Sequence, residues 1–187
     1  MSVINALFLG ALQGVTEFLP VSSSGHLVLI AKGLNVKHPG VTFEVMMHMG
    51  TLISIVVCFW GDIREIFVNA FRKKEFDLVW SLAIATAPVA IIGYFFKANI
   101  ESAFDSTTVV GVCLFATGVI LVSTRFVGKG IVTQVGLAAA FIVGLAQALA
   151  LLPGISRSGI TISSGLWLGF TNREAGRFSF LMAIPAL

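Results

Sequence analysis

The sequence is short of charge. Only 11% of its 187 residues are Asp, Glu, Lys or Arg, against 57% hydrophobic residues, and its mean hydropathy is +0.97. A water-facing surface cannot be covered from so small a polar supply, which excludes an ordinary soluble domain. Cysteine is also scarce. Cys58 and Cys113 both lie inside apolar runs, where a thiol packs as a small hydrophobe, so neither a disulfide framework nor a cysteine metal site is indicated. The opening MSVINALFLG has no basic n-region and no small-residue cleavage site. A removed signal peptide is therefore not expected, and this stretch is read as part of the mature fold.

What the chain does have is long uncharged runs, at 78–96, 107–124 and 131–152. Crossing a bilayer takes about 20 mainly apolar residues, so an all-α integral membrane protein is predicted. Basic residues cluster at Arg64, Arg72, Lys73 and Lys74 and again at Arg125 and Lys129, which the positive-inside rule places in the cytoplasm. The mixed loop with Lys97, Glu101 and Asp105 suits the outer side. Spans at 42–60, 78–96 and 107–124 then follow, with the N-terminus outside. The final FSFLMAIPAL, 178–187, reads as the start of another span without a polar flank, so the chain is expected to be C-terminally incomplete.

Two stretches do not behave as simple spans. Residues 3–30 are interrupted by Pro20 and a serine run, and residues 131–170 by Pro153, Gly154 and a second serine run. Non-helical backbone at membrane depth is tolerated where it is buried in protein or lines a wet cavity, so both are predicted to be re-entrant helix pairs. They also resemble each other. Gly10, Gln13, Ser22, Ser24 and Gly25 recur at one constant spacing as Gly144, Gln147, Ser156, Ser158 and Gly159, with Pro20 and Pro153 one residue out of register. Three spans between the copies invert the second relative to the first, and such inverted repeats place their site where the broken helices meet. The predicted organisation is a single membrane domain, 1–187. Repeat 1 covers about 1–124; repeat 2 begins near 131 and is truncated. A chance match of glycines and serines in small-residue-rich helices is the competing explanation.

The breaks carry the chemistry. Gln13 and Glu17 share a helix face just before Pro20, and a carboxylate at membrane depth marks a candidate functional site, although bracing a backbone break is the plainer role. Ser22, Ser23 and Ser24 are placed to cap the next half-helix, whose free amides suit an anion. His26 lies one turn further on. A histidine beside a hydroxyl and a carboxylate fits an activated nucleophile; a hydrogen-bonded interhelical contact is the alternative. In the second break, PGISRSGITIS, Arg157 occupies the place of Ser23, flanked by Ser156, Ser158 and Gly159. A permanent charge with a planar donor fork at a half-helix start suits phosphate, whereas an interfacial arginine would snorkel along long aliphatic neighbours. Glu44 and His48, at i,i+4, are a candidate metal pair or a polar helix end. Lys32, Lys37 and His38 read as a solvated loop, and Arg173, Glu174 and Arg177 as a charged boundary.

The segments GALQGVTEFLPVSSSGHLVL and LLPGISRSGITIS resemble the two signatures of the undecaprenyl-diphosphate phosphatases associated with bacitracin resistance, and FEVMMHMGTL and REAGRFSFLMAIPAL are similar to further parts of that family. The resemblance implies a bacterial inner-membrane enzyme that removes the terminal phosphate of undecaprenyl diphosphate and so recycles carrier lipid for wall synthesis. It implies a divalent cation, Mg2+ or Ca2+, held by Glu17 and Gln13. It also implies a catalytic set of Ser23, His26, Glu17 and Arg157, with Ser22, Ser24, Gly25, Ser156, Ser158 and Gly159 binding substrate. The nucleophile's role in that family falls on Ser23 or His26; Ser23 is taken as nucleophile here, with His26 as its base. Two positions depart from the family pattern: Gln13 stands where many members have Glu, and His48 where Gln is expected. The family's chains also run on beyond this one with further spanning helices. The expected partners are the prenyl diphosphate lipid and the bilayer, without nucleic acid; a homodimer is compatible with this reading. A transporter or flippase of a phosphate-bearing prenyl lipid would share the architecture without needing His26. Type-2 phosphatidic acid phosphatases share the Ser-Gly-His element at Ser24–His26 but need a histidine and aspartate downstream of Ser-Arg, and none follows Arg157.

Overall fold

The computed structural model describes residues 2–34, 36 and 41–186, with the side chains of 41–45 left out of the description. Lys37 and His38 fall outside the described residues, as does the side chain of Glu44, and with it the Glu44–His48 pair. Ten α-helices run through the described chain: α1 (Val3–Phe18), α2 (Ser23–Gly33), α3 (Val41–Cys58), α4 (Trp60–Val68), α5 (Asp77–Phe95), α6 (Lys97–Asp105), α7 (Thr107–Ser123), α8 (Leu137–Leu149), α9 (Arg157–Trp167) and α10 (Asn172–Ala186).

Helix α5 has 19 residues with a mean hydropathy of 1.9, and α7 with the turn that extends it to Phe126 has 20 residues with a mean of 2.0; only 17% of either is buried. Both are long and apolar enough to cross a membrane. A core helix of a soluble protein hides its apolar surface, whereas here Trp80, Ile91, Tyr94, Phe95, Val112 and Phe115 are all more than half exposed. A continuous apolar surface of this kind would drive aggregation in water and is satisfied by lipid tails.

Small residues let these helices pack closely, as membrane helices require when lipid gives no hydrophobic drive to associate. At the α5–α8 crossing a Cβ on Gly144 would run into the backbone of Ala85, which is itself fully buried. Around that contact Val143, Phe170, Phe178 and Met182 complete the core. The uncharged run 131–152 is not one helix. Ile131 and Val132 donate their N–H groups to the Gly169 carbonyl (3.0 and 2.9 Å), and Thr171 donates back to Val132 (3.0 Å), so this strip is bridged to the α9–α10 link and α8 starts only at Leu137.

Candidate functional site

Both breaks are built alike. Pro20 has no N–H to continue α1, and the chain turns with Val21 donating to the Leu19 carbonyl at 2.8 Å. Ser22 then takes φ 67°, ψ 95°, a region that a side-chain-bearing residue rarely occupies and that is typically held only at functional or over-determined positions. Its hydroxyl caps α2 by accepting from the Gly25 N–H (3.3 Å). In the second break Gly154 turns the chain at φ 102°, where glycine is free of the Cβ penalty. Ser156 caps α9 by accepting from the Gly159 N–H (3.1 Å). The residues that recur in the sequence therefore recur in role. Ser24 lies 3.4 Å from Ser22, hydroxyl to hydroxyl, and Ser158 lies 3.4 Å from Ser156.

The tips meet. A Cβ on Gly25 would come within 2.9 Å of Gly154 Cα, and one on Gly159 within 3.2 Å of the Pro20 carbonyl; Ser158 Oγ donates to the Leu19 carbonyl at 3.4 Å. Gly25 and Gly159, expected to bind substrate, are the points where one break rests on the other. Their amides are already used by the serine caps. Each cap satisfies one donor of a helix start, and the remaining first-turn amides point out of the helix end.

At the meeting point lies a cavity of about 280 Å³, lined by Thr16, Glu17, Ser22, Ser23, Ser24, His48, Gln147, Ser156, Arg157 and Ser158, with walls from Val89, Leu151 and Ile155 among others. Glu17 is its hub. Arg157 Nη2 donates to Glu17 Oε1 at 2.5 Å, Ser23 Oγ donates to Oε2 at 2.5 Å, and Gln13 Nε2 donates to Oε2 at 3.3 Å. Glu17 is 8% exposed; a charge this deeply buried persists only when paired and hydrogen-bonded. The pair joins the first repeat segment to the second across the breaks.

His26 does not take the place expected of it. Its Nδ1 is 2.8 Å from the Ser22 carbonyl. A carbonyl only accepts, so Nδ1 carries the proton and, in the neutral ring, Nε2 is the acceptor nitrogen. Ser23 Oγ bonds to Glu17, not to His26, and His26 does not line the cavity. The reason is local: His26 sits one turn into α2, and its ring folds back over the strained Ser22 carbonyl. His48 supplies the cavity's histidine, with Nδ1 3.3 Å from Gln13 Nε2 and 3.7 Å from Glu17 Oε2. Its departure from the family pattern was its signal in the sequence. Gln147 was visible there only as the repeat mate of Gln13.

The second break is braced from α7. Buried Thr117 donates its hydroxyl to the Gly154 carbonyl (2.7 Å) and accepts from the Ser156 N–H (3.1 Å), fixing the loop that aims Arg157. Thr117→Val keeps the shape and removes both bonds. It is expected to cost about 1–3 kcal/mol of stability and to lower kcat/KM about 10-fold through misplacement of Arg157, with Thr117→Ser restoring most of both; denaturation and steady-state kinetics read the two effects.

A larger recess of about 540 Å³ at the N-terminal end of α5 is lined by Glu65, Glu75, Asp77 and Glu174 with Arg177. Arg177 is already engaged by Asp62 (2.5 Å), Glu65 (3.7 Å) and Glu174 (3.7 Å). Four carboxylates around one neutralised guanidinium repel an anion, which leaves the smaller cavity as the candidate anion site.

A family model described as Bacitracin resistance protein BacA matches residues 6–187. The chain is similar to an undecaprenyl-diphosphatase of Campylobacter curvus, 43% identical over 195 residues that cover 100% of this chain and 74% of that protein. It is similar to one of Moorella thermoacetica, 42% identical over 192 residues with 100% and 74% covered. A third, from Geobacter metallireducens, is 41% identical over 195 residues with 99% and 72% covered.

Proposed function

Because the chain belongs to the bacitracin resistance protein BacA family, we propose that it hydrolyses undecaprenyl diphosphate to undecaprenyl phosphate and inorganic phosphate, returning carrier lipid to cell-wall synthesis. The observation that carries this reading is the contact of Ser23 and Arg157 with one buried carboxylate, Glu17, which places a hydroxyl and a guanidinium on a single cavity. Arg157 and the amides at the two half-helix starts bind the diphosphate. Ser23 Oγ attacks the terminal phosphorus as the bond to the lipid monophosphate breaks; the monophosphate leaves with the bonding electrons and the serine proton passes to Glu17. Water then cleaves the phosphoserine and releases phosphate. Phosphoryl transfer through a loose transition state asks little of its base. The apolar walls keep the prenyl chain in lipid while the headgroup enters.

The donor set suits magnesium. Magnesium is held by roughly one or two carboxylates, with waters and substrate phosphates completing the shell; Glu17 and the Gln13 carboxamide fit that requirement. When bound, the cation would offset charge on the phosphoryl oxygens. Purified protein in detergent is expected to release phosphate from farnesyl diphosphate, to lose at least about 10-fold of its rate in EDTA, and to recover it with excess magnesium. No release with magnesium present removes the enzyme reading and favours a flippase of the same lipid.

The architecture we infer is an inverted-topology repeat with two re-entrant pairs in a bacterial inner membrane, the N-terminus on the outer side. The matching serine caps and the reciprocal Gly25–Gly154 and Gly159–Pro20 contacts support it.

A further inference from the structure

We propose that Gln147 is a substrate-binding residue, whose carboxamide N–H donates to a non-bridging oxygen of the phosphate held at Arg157. The proposal rests on the phosphatase reading and adds a contact that it does not contain. Gln147 is 2% exposed, and neither its Nε2 nor its Oε1 has a hydrogen-bond partner among the described residues. A buried amide is costly to leave unpaired, and native structures rarely leave both ends so. The group lines the same cavity as Glu17, Ser23 and Arg157.

The repeat explains how the amide comes to be unpaired. Gln13 is equally buried, at 1%, but has Glu17 four residues on, sharing its helix face and accepting its N–H. The equivalent position after Gln147 is Leu151, which cannot accept. The second half-helix therefore presents its glutamine where the first consumes its own. Facing an anion, a neutral amide supplies two donors without a further charge to bury, and it complements an arginine already engaged by Glu17. Oε1 remains for a protonated phosphate oxygen or an ordered water.

The experiment compares wild type, Gln147→Leu and Gln147→Glu, purified in detergent. Its readouts are kcat/KM with farnesyl diphosphate and thermal unfolding with and without inorganic pyrophosphate. Gln147→Leu is expected to lower kcat/KM about 10- to 100-fold, chiefly through KM. Its ligand-free Tm is expected to equal or exceed that of wild type, because the unpaired amide is gone, while the pyrophosphate-induced rise in Tm shrinks. Gln147→Glu is expected to lose more activity, since it adds a second negative charge to the cavity that holds Glu17. Wild-type kcat/KM together with an undiminished pyrophosphate shift in the Leu variant overturns the proposal. So does a lowered ligand-free Tm or failure to fold, which makes the amide a brace of the fold. If wild type releases no phosphate, the phosphatase reading fails, and the pyrophosphate shifts alone still decide whether Gln147 binds the anion.

Discussion

Ser23→Ala is expected to abolish turnover, lowering phosphate release by about 10³-fold or more, equivalent to at least about 4 kcal/mol of barrier. Three neighbouring serines compete for the nucleophile's role, and their hydrogen bonds separate them. Ser22 Oγ is committed to the Gly25 amide as the cap of α2, on a residue whose backbone is already strained. Ser24 Oγ has its contact with Ser22. Only Ser23 Oγ donates to a carboxylate, at 2.5 Å, in a cavity that also holds Arg157. Ser24→Ala is therefore expected to retain activity within about 10-fold, the scale of one neutral hydrogen bond, and Ser22→Ala to act mainly on stability, by about 1 kcal/mol for a lost cap. Steady-state phosphate release and unfolding midpoints check all three. A Ser23→Ala protein that keeps more than a tenth of the wild-type rate removes Ser23 from the chemistry.

The second large effect falls on Arg157. Arg157→Lys preserves the charge but not the planar fork, so one ammonium must replace a guanidinium that bonds Glu17 with one nitrogen and, in the proposed site, offers others to phosphate. A loss of about 10²- to 10³-fold in kcat/KM is expected, because the lost donors act on charge developing in the transition state. Arg157→Ala adds a folding defect. It strands Glu17 as a buried carboxylate, and breaking such a pair from one side costs about 3–5 kcal/mol. Glu17→Gln combined with Arg157→Ala is expected to recover much of that stability and none of the activity. A fully active Arg157→Lys variant would mean that the cavity needs only a point charge there.

Much of this was legible in the sequence because lipid imposes simple demands on a chain. The uncharged runs at 78–96 and 107–124 mark helices α5 and α7, since a span must satisfy its own backbone and face apolar tails. Pro20 and Pro153 marked the interruptions through a missing N–H, and the serines that follow became caps for the same local reason. Glu17, Ser23 and Arg157 stood out as polar groups in an apolar chain. What the sequence hid was set by contacts between distant segments. The strip before α8 looks like the start of a helix until Gly169 takes the N–H groups of Ile131 and Val132. His26 was closer than His48 to the serines along the chain, yet α3 brings His48 to Gln13 and Glu17 while the ring of His26 turns back to Ser22. Gly25 and Gly159 seat one break upon the other, a contact that no local pattern announces. The solitude of Gln147 followed from Leu151 holding the place that Glu17 holds in the first copy.

The central claim is that two broken helices assemble one phosphoryl-transfer site, with the nucleophile on one tip and the arginine on the other. An experimental structure with orthovanadate, which adopts the five-coordinate geometry of a phosphoryl group in transfer, tests it most directly. Vanadium bonded to Ser23 Oγ, with an equatorial oxygen against the Arg157 guanidinium, is the expected result. Vanadium bonded to His26, or Arg157 turned away from the bound ion, would contradict it.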